Sequence, residues 1–376
     1  MFDCIVVGSG PAGATTAYHL ARRGHRVLIL EKHRLPRYKP CTGAVAPSIA
    51  QWFDFDLAPA IDQRLRRVAY TWQLEDPVAA ELETAEPMWV VRRDKFDHFL
   101  VQKAQQAGAV LTDGTEVQGI EFSDGSWTVH TSQGSQQGRY LVAADGADGP
   151  IASWLGFRAE KVRLGKVLEI DLSEPLEAPT MAFEFGLVKQ GCVWNFPKQQ
   201  SHSIGVARFI GGSLKDGDRA VAAYAKFLGS SMESGQLYSH SIKFWSGNTR
   251  LHTQQALLVG EAAALVDPLT AEGIRPAIFS GVQAASAVAE ALSGDPEALA
   301  RYTATIHQEW GSDIQWSQRI AAVFFRLQKI GYRVGIKRPT ATKRLGQLLA
   351  GEVRYVDLAN RVIKRISGSL IPGRES

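Results

Sequence analysis

The residues best equipped for chemistry lie in two stretches near the N-terminus, Gly8-Ser9-Gly10-Pro11-Ala12-Gly13 and the loop from Pro36 to Gly43. In the first, Gly8 allows a tight turn, Gly10 lets a pyrophosphate reach the backbone, and Gly13 lets a helix pack closely on a strand. The helix that begins near Pro11 and Ala12 would then offer free N–H groups and its positive dipole end to phosphates. Glu31 stands 18 residues beyond Gly13. Its carboxylate can accept from adenosine ribose hydroxyls and would repel a 2′-phosphate, which favours FAD or NAD over NADP. In the second stretch Cys41 follows Arg37 and Lys39. Those cations would lower a thiol pKa and suit it to donate a proton or gate a site; a merely packed small residue is the alternative.

The surrounding pattern supplies elements to hold these groups. Cys4–Val7 reads as a strand, Ala14–Arg23 as a helix ended by Gly24, and Arg26–Leu30 as a second strand closing on Glu31, which makes one βαβ unit. Lys32–Val45 is basic and irregular, the composition of a functional loop. Alternation over 66–91 predicts sheet, Arg93–Ala107 a helix, and Ala109–Leu111, Gly119–Phe122, Trp127–His130 and Tyr140–Ala144 short strands. Period-two patterning over 161–244, with one helix near Asp218–Leu228, predicts a separate antiparallel sheet. Ala256–Gly260 reads as a buried strand and Gly273–Ser293 as a helix of small residues. The chain reads as helical beyond Pro296, interrupted at Gly331, Gly335 and Pro339, with a Gly/Ser-rich tail from Ser367.

Composition narrows the class. With 45% hydrophobic and 21% charged residues and no run of 18 apolar ones, the chain has a soluble protein's make-up, and the N-terminus lacks a signal-peptide pattern. A cytoplasmic location is expected. Three distant cysteines give no disulfide framework, and nine scattered histidines give no metal cluster, so no metal is expected. The net charge of +4 conceals a basic end: residues 319–376 hold 13 Lys and Arg against 3 acids. That end could meet an anionic membrane surface peripherally or an acidic partner, or be a set of solvated helix faces. No nucleic-acid partner is expected.

Two further segments select the cofactor by resemblance. Leu141–Gly149, containing Asp145-Gly146, resembles the strand-then-Asp-Gly segment of the flavoprotein hydroxylase and reductase superfamily. Ala256–Pro268 resembles its third segment, with Gly260-Glu261 where Gly-Asp is usual. Pro150 and Ile151 stand where that superfamily continues with Ser and Arg, so altered contacts to the flavin are expected there. Pro36–Gly43, Gly191–Pro197 and Pro268–Ile274 resemble the cysteine loop, the aromatic strand and the flavin-side loop of the geranylgeranyl reductase family. The resemblance spans roughly residues 1–295.

That resemblance implies an α/β fold: a Rossmann-like FAD-binding domain (1–65, 93–160, 250–295), an inserted antiparallel-sheet substrate domain (66–92, 161–249) and a helical basic C-terminal region (296–376). It implies FAD contacts from the glycine loop, Glu31, Lys32, Cys41, Thr42, Gly43, Arg93, Val117, Asp145, Gly146, Gly260, Glu261, Pro268, Gly273 and Ile274. Cys41 and Tyr38 would be catalytic. Cys192, Trp194, Phe196 and Pro197 would line a prenyl tunnel, Cys192 replacing the family's tyrosine. Sheet core is the other reading of the aromatics, and a structural pair that of Arg92 and Arg93. Gly273 and Ile274 N–H groups could stabilise charge on reduced flavin. The expected reaction is reduction of isoprenoid C=C bonds. With no second GxGxxG, NAD(P)H would dock transiently or a ferredoxin-type protein would supply electrons. A monooxygenase, or a flavin-binding protein without turnover, is the alternative. A halogenase is disfavoured by the absence of lysine from Trp194–Pro197.

Overall fold

The computed structural model describes residues 1–360 other than Asn248. The expected tail from Ser367 and the cations Arg361, Lys364, Arg365 and Arg374 lie outside the described residues.

Four strands rich in aliphatic residues form the centre of an eight-stranded sheet. Phe2–Val7 lies between Val27–Leu30 and Gly134–Ala143, parallel to both, and Ala256–Leu258 continues the parallel set beyond Gly134–Ala143. Val27–Leu30 and Ala256–Leu258 are buried throughout, the pattern of a parallel sheet covered on both faces. Val7 pairs with both Leu30 and Ala143, so the strands finish together. The glycine loop, Glu31, Asp145 and Gly260 therefore leave the sheet from one edge, where ligands bind in open α/β sheets.

The glycine-loop helix Pro11–Ala21 packs on Arg93–Gln106 and on Ile274–Leu292. The second contact is close: a Cβ at Gly281 would lie 2.6 Å from the Ala12 carbonyl oxygen.

A second sheet of seven strands holds Val162–Asp171 between Gly235–Lys243 and Ser201–Arg208, then Gly191–Asn195, Thr180–Phe185, Arg67–Trp72 and Glu75–Glu81. It is antiparallel except that Thr180–Phe185 runs parallel to Arg67–Trp72. Those strands come from before and after the intervening cofactor segment, and no hairpin constrains their direction. The expected strand over Met88–Val91 does not join this sheet. Met88–Val90 pairs with Ala44–Val45 and Gln63–Leu65, and Val91 N donates to Gly43 O at 2.8 Å. Gly43 has φ +85° and no space for a Cβ against the Val91 carbonyl, so glycine lets the cysteine loop close on this strand.

Beyond residue 296 the described chain is helical. Pro339 opens the helix Pro339–Leu349 from its first turn, where a missing N–H costs nothing. Two π-helical stretches, Ile306–Gly311 and Tyr332–Ile336, and a break at Leu327 bend the run around the second sheet, where Phe325 stacks on Phe209. Among the described residues no helix is long and apolar enough to cross a membrane.

Candidate functional site

The glycine loop fits a dinucleotide by its spaces. Gly8 has φ +102°, and a Cβ there would lie 2.3 Å from the Ala144 carbonyl oxygen; one at Gly13 would lie 2.0 Å from the Gly8 oxygen. Gly10 differs, because its Cβ would meet nothing nearer than Arg93 Nη2 at 3.9 Å. Gly8 and Gly13 are thus needed by the fold, and Gly10 leaves room for a ligand. Gly8, Gly10, Glu31, Lys32, Val117, Asp145 and Gly146 border one cleft of about 570 Å³.

Glu31 Oε2 accepts from Ser9 N at 3.0 Å and Ser9 Oγ at 2.6 Å, and Oε1 from His33 N at 3.0 Å. Burial pushes its carboxyl up, but Arg37 and these donors outweigh it and hold it below the ordinary value. A carboxylate oxygen has two lone pairs, so Oε1 keeps capacity for a hydroxyl. Asp145 Oδ2 accepts from Ile151 N at 3.0 Å, so the departure at Pro150-Ile151 supplies a backbone donor to this acid. Asp145 Oδ1 is buried without a hydrogen-bond partner among the described residues, and burial raises its pKa. An unused buried acceptor beside an open glycine loop fits a hydroxyl-bearing cofactor.

A line of alternating charges backs the cleft. Arg37 lies 3.5 Å from Glu31 and 3.0 Å from Asp97, and Asp97 takes two 2.7 Å bonds from Arg93. Burial disfavours charge on Arg93 and Asp97 alike, yet each holds the other charged: Asp97 stays below its usual value and Arg93 above its own. Arg93 also reaches Cys41, whereas Arg37 is committed to the two acids and Lys39 lies 3.6 Å from Glu261. Arg93, from a different element, is thus a further cation beside the thiol.

Cys41, Thr42, Gly43 and Arg93 border an inner cavity of about 170 Å³ that shares Gly10, Lys39 and Gly146 with the cleft. Glu261, Gly273 and Ile274 border it as well. Gly273 begins the helix Ile274–Leu292 with no side-chain cap, so the first N–H groups and the positive dipole end stand at the cavity. His240 lies 3.9 Å from Glu261 and borders both spaces. Burial pushes its pKa down to about 4, so it is neutral at pH 7 despite the acid.

Trp194 donates from Nε1 to Thr42 Oγ1 at 2.9 Å, tying the aromatic strand to the cysteine loop. A Cβ at Gly205 would meet its ring at 2.3 Å, so the neighbouring strand makes room for the indole. Trp194 and Phe196 border the inner cavity, and Trp194, Phe183, Thr270 and Leu349 also border a third space of about 920 Å³. That chamber lies between the second sheet and the C-terminal helices, with Phe185, Cys192, Phe209, Phe324, Phe325 and Leu345 in its walls. Burial, first, and Glu184 push the Cys192 thiol pKa up, leaving a neutral small residue at the wall.

The flavin-side loop is held from far along the chain. Buried Asp267 accepts from Leu269 N at 2.7 Å, Ser317 Oγ at 2.5 Å and Tyr355 Oη at 2.7 Å. Beside it Arg275 makes two bonds, at 2.9 and 2.8 Å, to Glu272. Tyr355→Phe removes a donor to a buried carboxylate, and a loss of about 1.5–3 kcal/mol is expected. Urea unfolding of the two proteins measures it; equal midpoints would deny the anchor.

Some expected groups lie elsewhere. Tyr38 borders the cleft, its ring 4.3 Å from that of Tyr238 and its hydroxyl 3.3 Å from Glu169 on the second sheet. Gly13, Gly260, Pro268 and Pro197 border none of the three spaces; Gly260, at φ +57°, lets the third segment pass Ala12. Lys198, just beyond the aromatic strand, is consumed by Glu169 at 2.8 Å. Sequence reasoning missed Ser9, Asp97, His240 and Tyr355. Arg93 and Asp97, four apart on one helix, carried a readable signal; the others join the site only through tertiary pairing.

Comparison with known proteins agrees with this geometry. Residues 1–185 match the FAD binding domain family. The digeranylgeranylglycerophospholipid reductase of Methanocaldococcus jannaschii is 27% identical over 314 residues, covering 78% of each chain. A geranylgeranyl bacteriochlorophyll reductase-like protein from Thermoplasma acidophilum has a similar fold, with TM-score 0.76 and 21% identity over 94% of this chain and 92% of that one. A flavin-dependent brominase is similar at TM-score 0.70 and 18% identity, over 98% and 99% of the two chains, a likeness of fold alone. With residues 1–185 matched to the FAD binding domain family and reductases of geranylgeranyl chains similar over most of its length, the chain is a FAD-dependent oxidoreductase similar to the geranylgeranyl reductases.

Proposed function

We propose that this oxidoreductase reduces carbon–carbon double bonds of an isoprenoid chain. The observation that carries the reading is the apolar chamber of about 920 Å³, which meets the inner cavity at Phe183, Trp194, Thr270 and Leu349. A long flexible hydrocarbon gains from such walls, and the shared residues deliver one segment of it to the cavity. The named activity of the Methanocaldococcus relative supports the same substrate class.

FAD held by the glycine loop, Glu31 and Asp145 would supply, once reduced, the hydride equivalent for one carbon of the double bond. Cys41 holds a proton at Sγ for the other carbon, and Arg93 beside it offsets the charge left on sulfur. The N-terminus of Ile274–Leu292 favours negative charge at the cavity. Trp194, fixed on Thr42, bounds the passage and excludes water from it. The electrons come from NAD(P)H docking transiently or from a ferredoxin-type carrier.

The test is anaerobic. FAD-loaded protein is bleached with dithionite and mixed with geranylgeranyl diphosphate or a geranylgeranyl lipid. Return of the oxidised flavin spectrum with a product carrying two more hydrogens per reduced bond is expected. Flavin that stays reduced beside unchanged prenyl chains would reject the reading, and NAD(P)H-driven oxygen consumption would favour a monooxygenase. Cys41→Ala is expected to slow prenyl turnover by about a hundredfold while retaining FAD.

A further inference from the structure

The apolar chamber reaches the surface beside a helical stretch with an unusual outward face. Along residues 312–336, Val323, Leu327, Ile330 and Val334 are each between 52% and 64% exposed. Val323 and Leu327 lie one turn apart at the end of the helix Ser312–Arg326, and Ile330 and Val334 one turn apart beyond the break at Leu327. The intervening Phe325 and Tyr332 are buried, stacked on Phe209 and bonded to the Tyr70 carbonyl, so the inward face is already used. Single exposed aliphatic residues are ordinary; a row of four is a surface made for contact.

The charge around the row has one sign. From residue 314 to 351 the sequence holds eight Lys and Arg and no Asp or Glu. Lys337 and Lys343 are occupied by Asp76 and Glu83. Arg326, Lys329, Arg333 and Arg338 are exposed and, among the described residues, have no carboxylate within 4.0 Å. Val334 and Arg338 also border the chamber. From Thr340 at that end to Leu349 at the inner cavity, the chamber follows one helix for roughly 14 Å.

We propose that this face docks on an anionic lipid bilayer, the apolar row entering the interface while the free cations meet the headgroups, so that the chamber opens onto the membrane. Charge complementarity selects this occupant. A second copy packed symmetrically would set the same cations against themselves, whereas an anionic leaflet attracts each of them. The docking rests on the face alone; its use, delivery of a lipid-borne prenyl chain, rests on the reductase reading.

The experiment floats full-length, FAD-loaded protein with phosphatidylcholine vesicles, with and without phosphatidylglycerol, at low and high salt. Flotation with the anionic vesicles alone, lost as salt rises, is expected. Leu327→Ser/Ile330→Ser should lower partitioning on the order of a hundredfold, and Arg326→Gln or Lys329→Gln about fivefold each, with flavin absorbance unchanged. None of these four residues borders the chamber, so turnover of detergent-dispersed substrate should persist. Wild-type protein left behind at low salt, or a double variant floating like wild type, overturns the proposal. Self-association abolished by the double variant, without flotation, would assign the face to a second copy and overturn it too. Flotation without prenyl reduction would uphold the docking and sink the reductase reading instead.

Discussion

Gly10→Ala is expected to give a folded protein that purifies without colour. The added methyl meets nothing nearer than 3.9 Å within the protein, and the glycine's φ of −69° suits alanine. What it fills is the approach to the helix N-terminus, where a pyrophosphate accepts from backbone N–H groups. Losing about two charge-assisted hydrogen bonds costs about 3–5 kcal/mol, on the order of a thousandfold in Kd. The contrast with Gly8→Ala makes the test sharp. There the methyl would lie 2.3 Å from the Ala144 carbonyl oxygen at φ +102°, so the fold itself should weaken. Flavin absorbance and circular dichroism, measured on both variants, separate the two effects. A Gly10→Ala protein that stays yellow with unchanged affinity would remove the glycine loop from cofactor binding.

The second large effect concerns Asp97. Asp97→Ala leaves the buried Arg93 and its neighbour Arg37 facing each other without the carboxylate between them, and a loss of about 3–5 kcal/mol is expected in chemical denaturation. The pH dependence follows from the direction of the shift. Asp97 is held below its ordinary 3.8 in the folded chain. Its contribution is therefore full above that value and lost as pH falls through the lower folded one, because the unfolded chain takes up the proton first. Asp97→Asn, close to isosteric, should accordingly flatten the acid limb of the stability curve by up to about one proton. An unaltered acid limb would mean that this carboxylate is not ionised in the fold.

Much of the cofactor half was legible because local rules wrote it. Gly8, Gly10 and Gly13 sit between a strand and a helix at the spacing a phosphate turn needs, and Glu31 ends the next strand as expected. The second sheet was legible in its alternation, but the parallel pairing of Thr180–Phe185 with Arg67–Trp72 was not, since nothing local records strand direction across a hundred residues. Met88–Val90 was misplaced for a similar reason: alternation names a strand, not its partner. Within the site, sequence proximity did not reveal that Arg93, on a different element, joins Cys41 at the inner cavity. Tyr38 shows the same limit, since its hydroxyl goes to Glu169 on the second sheet, a tertiary pairing that nothing local records. The apolar chamber had no signature beforehand, because its walls are ordinary sheet and helix residues until the C-terminal helices are laid over them.

The bond between Tyr355 and Asp267 joins residues far apart in the chain. A ribosome adding about 5–20 residues per second finishes the glycine loop, the cysteine loop and the third cofactor segment well before it makes Tyr355. Through that interval the loop that ends in Gly273 lacks its two side-chain anchors, since Ser317 and Tyr355 both follow it. The glycine loop of the cofactor cleft is thus made well before Ser317 and Tyr355, the side chains that clasp the third cofactor segment. A chain cut short before residue 355 would carry every glycine of the cofactor cleft and still lack part of the clasp that holds it.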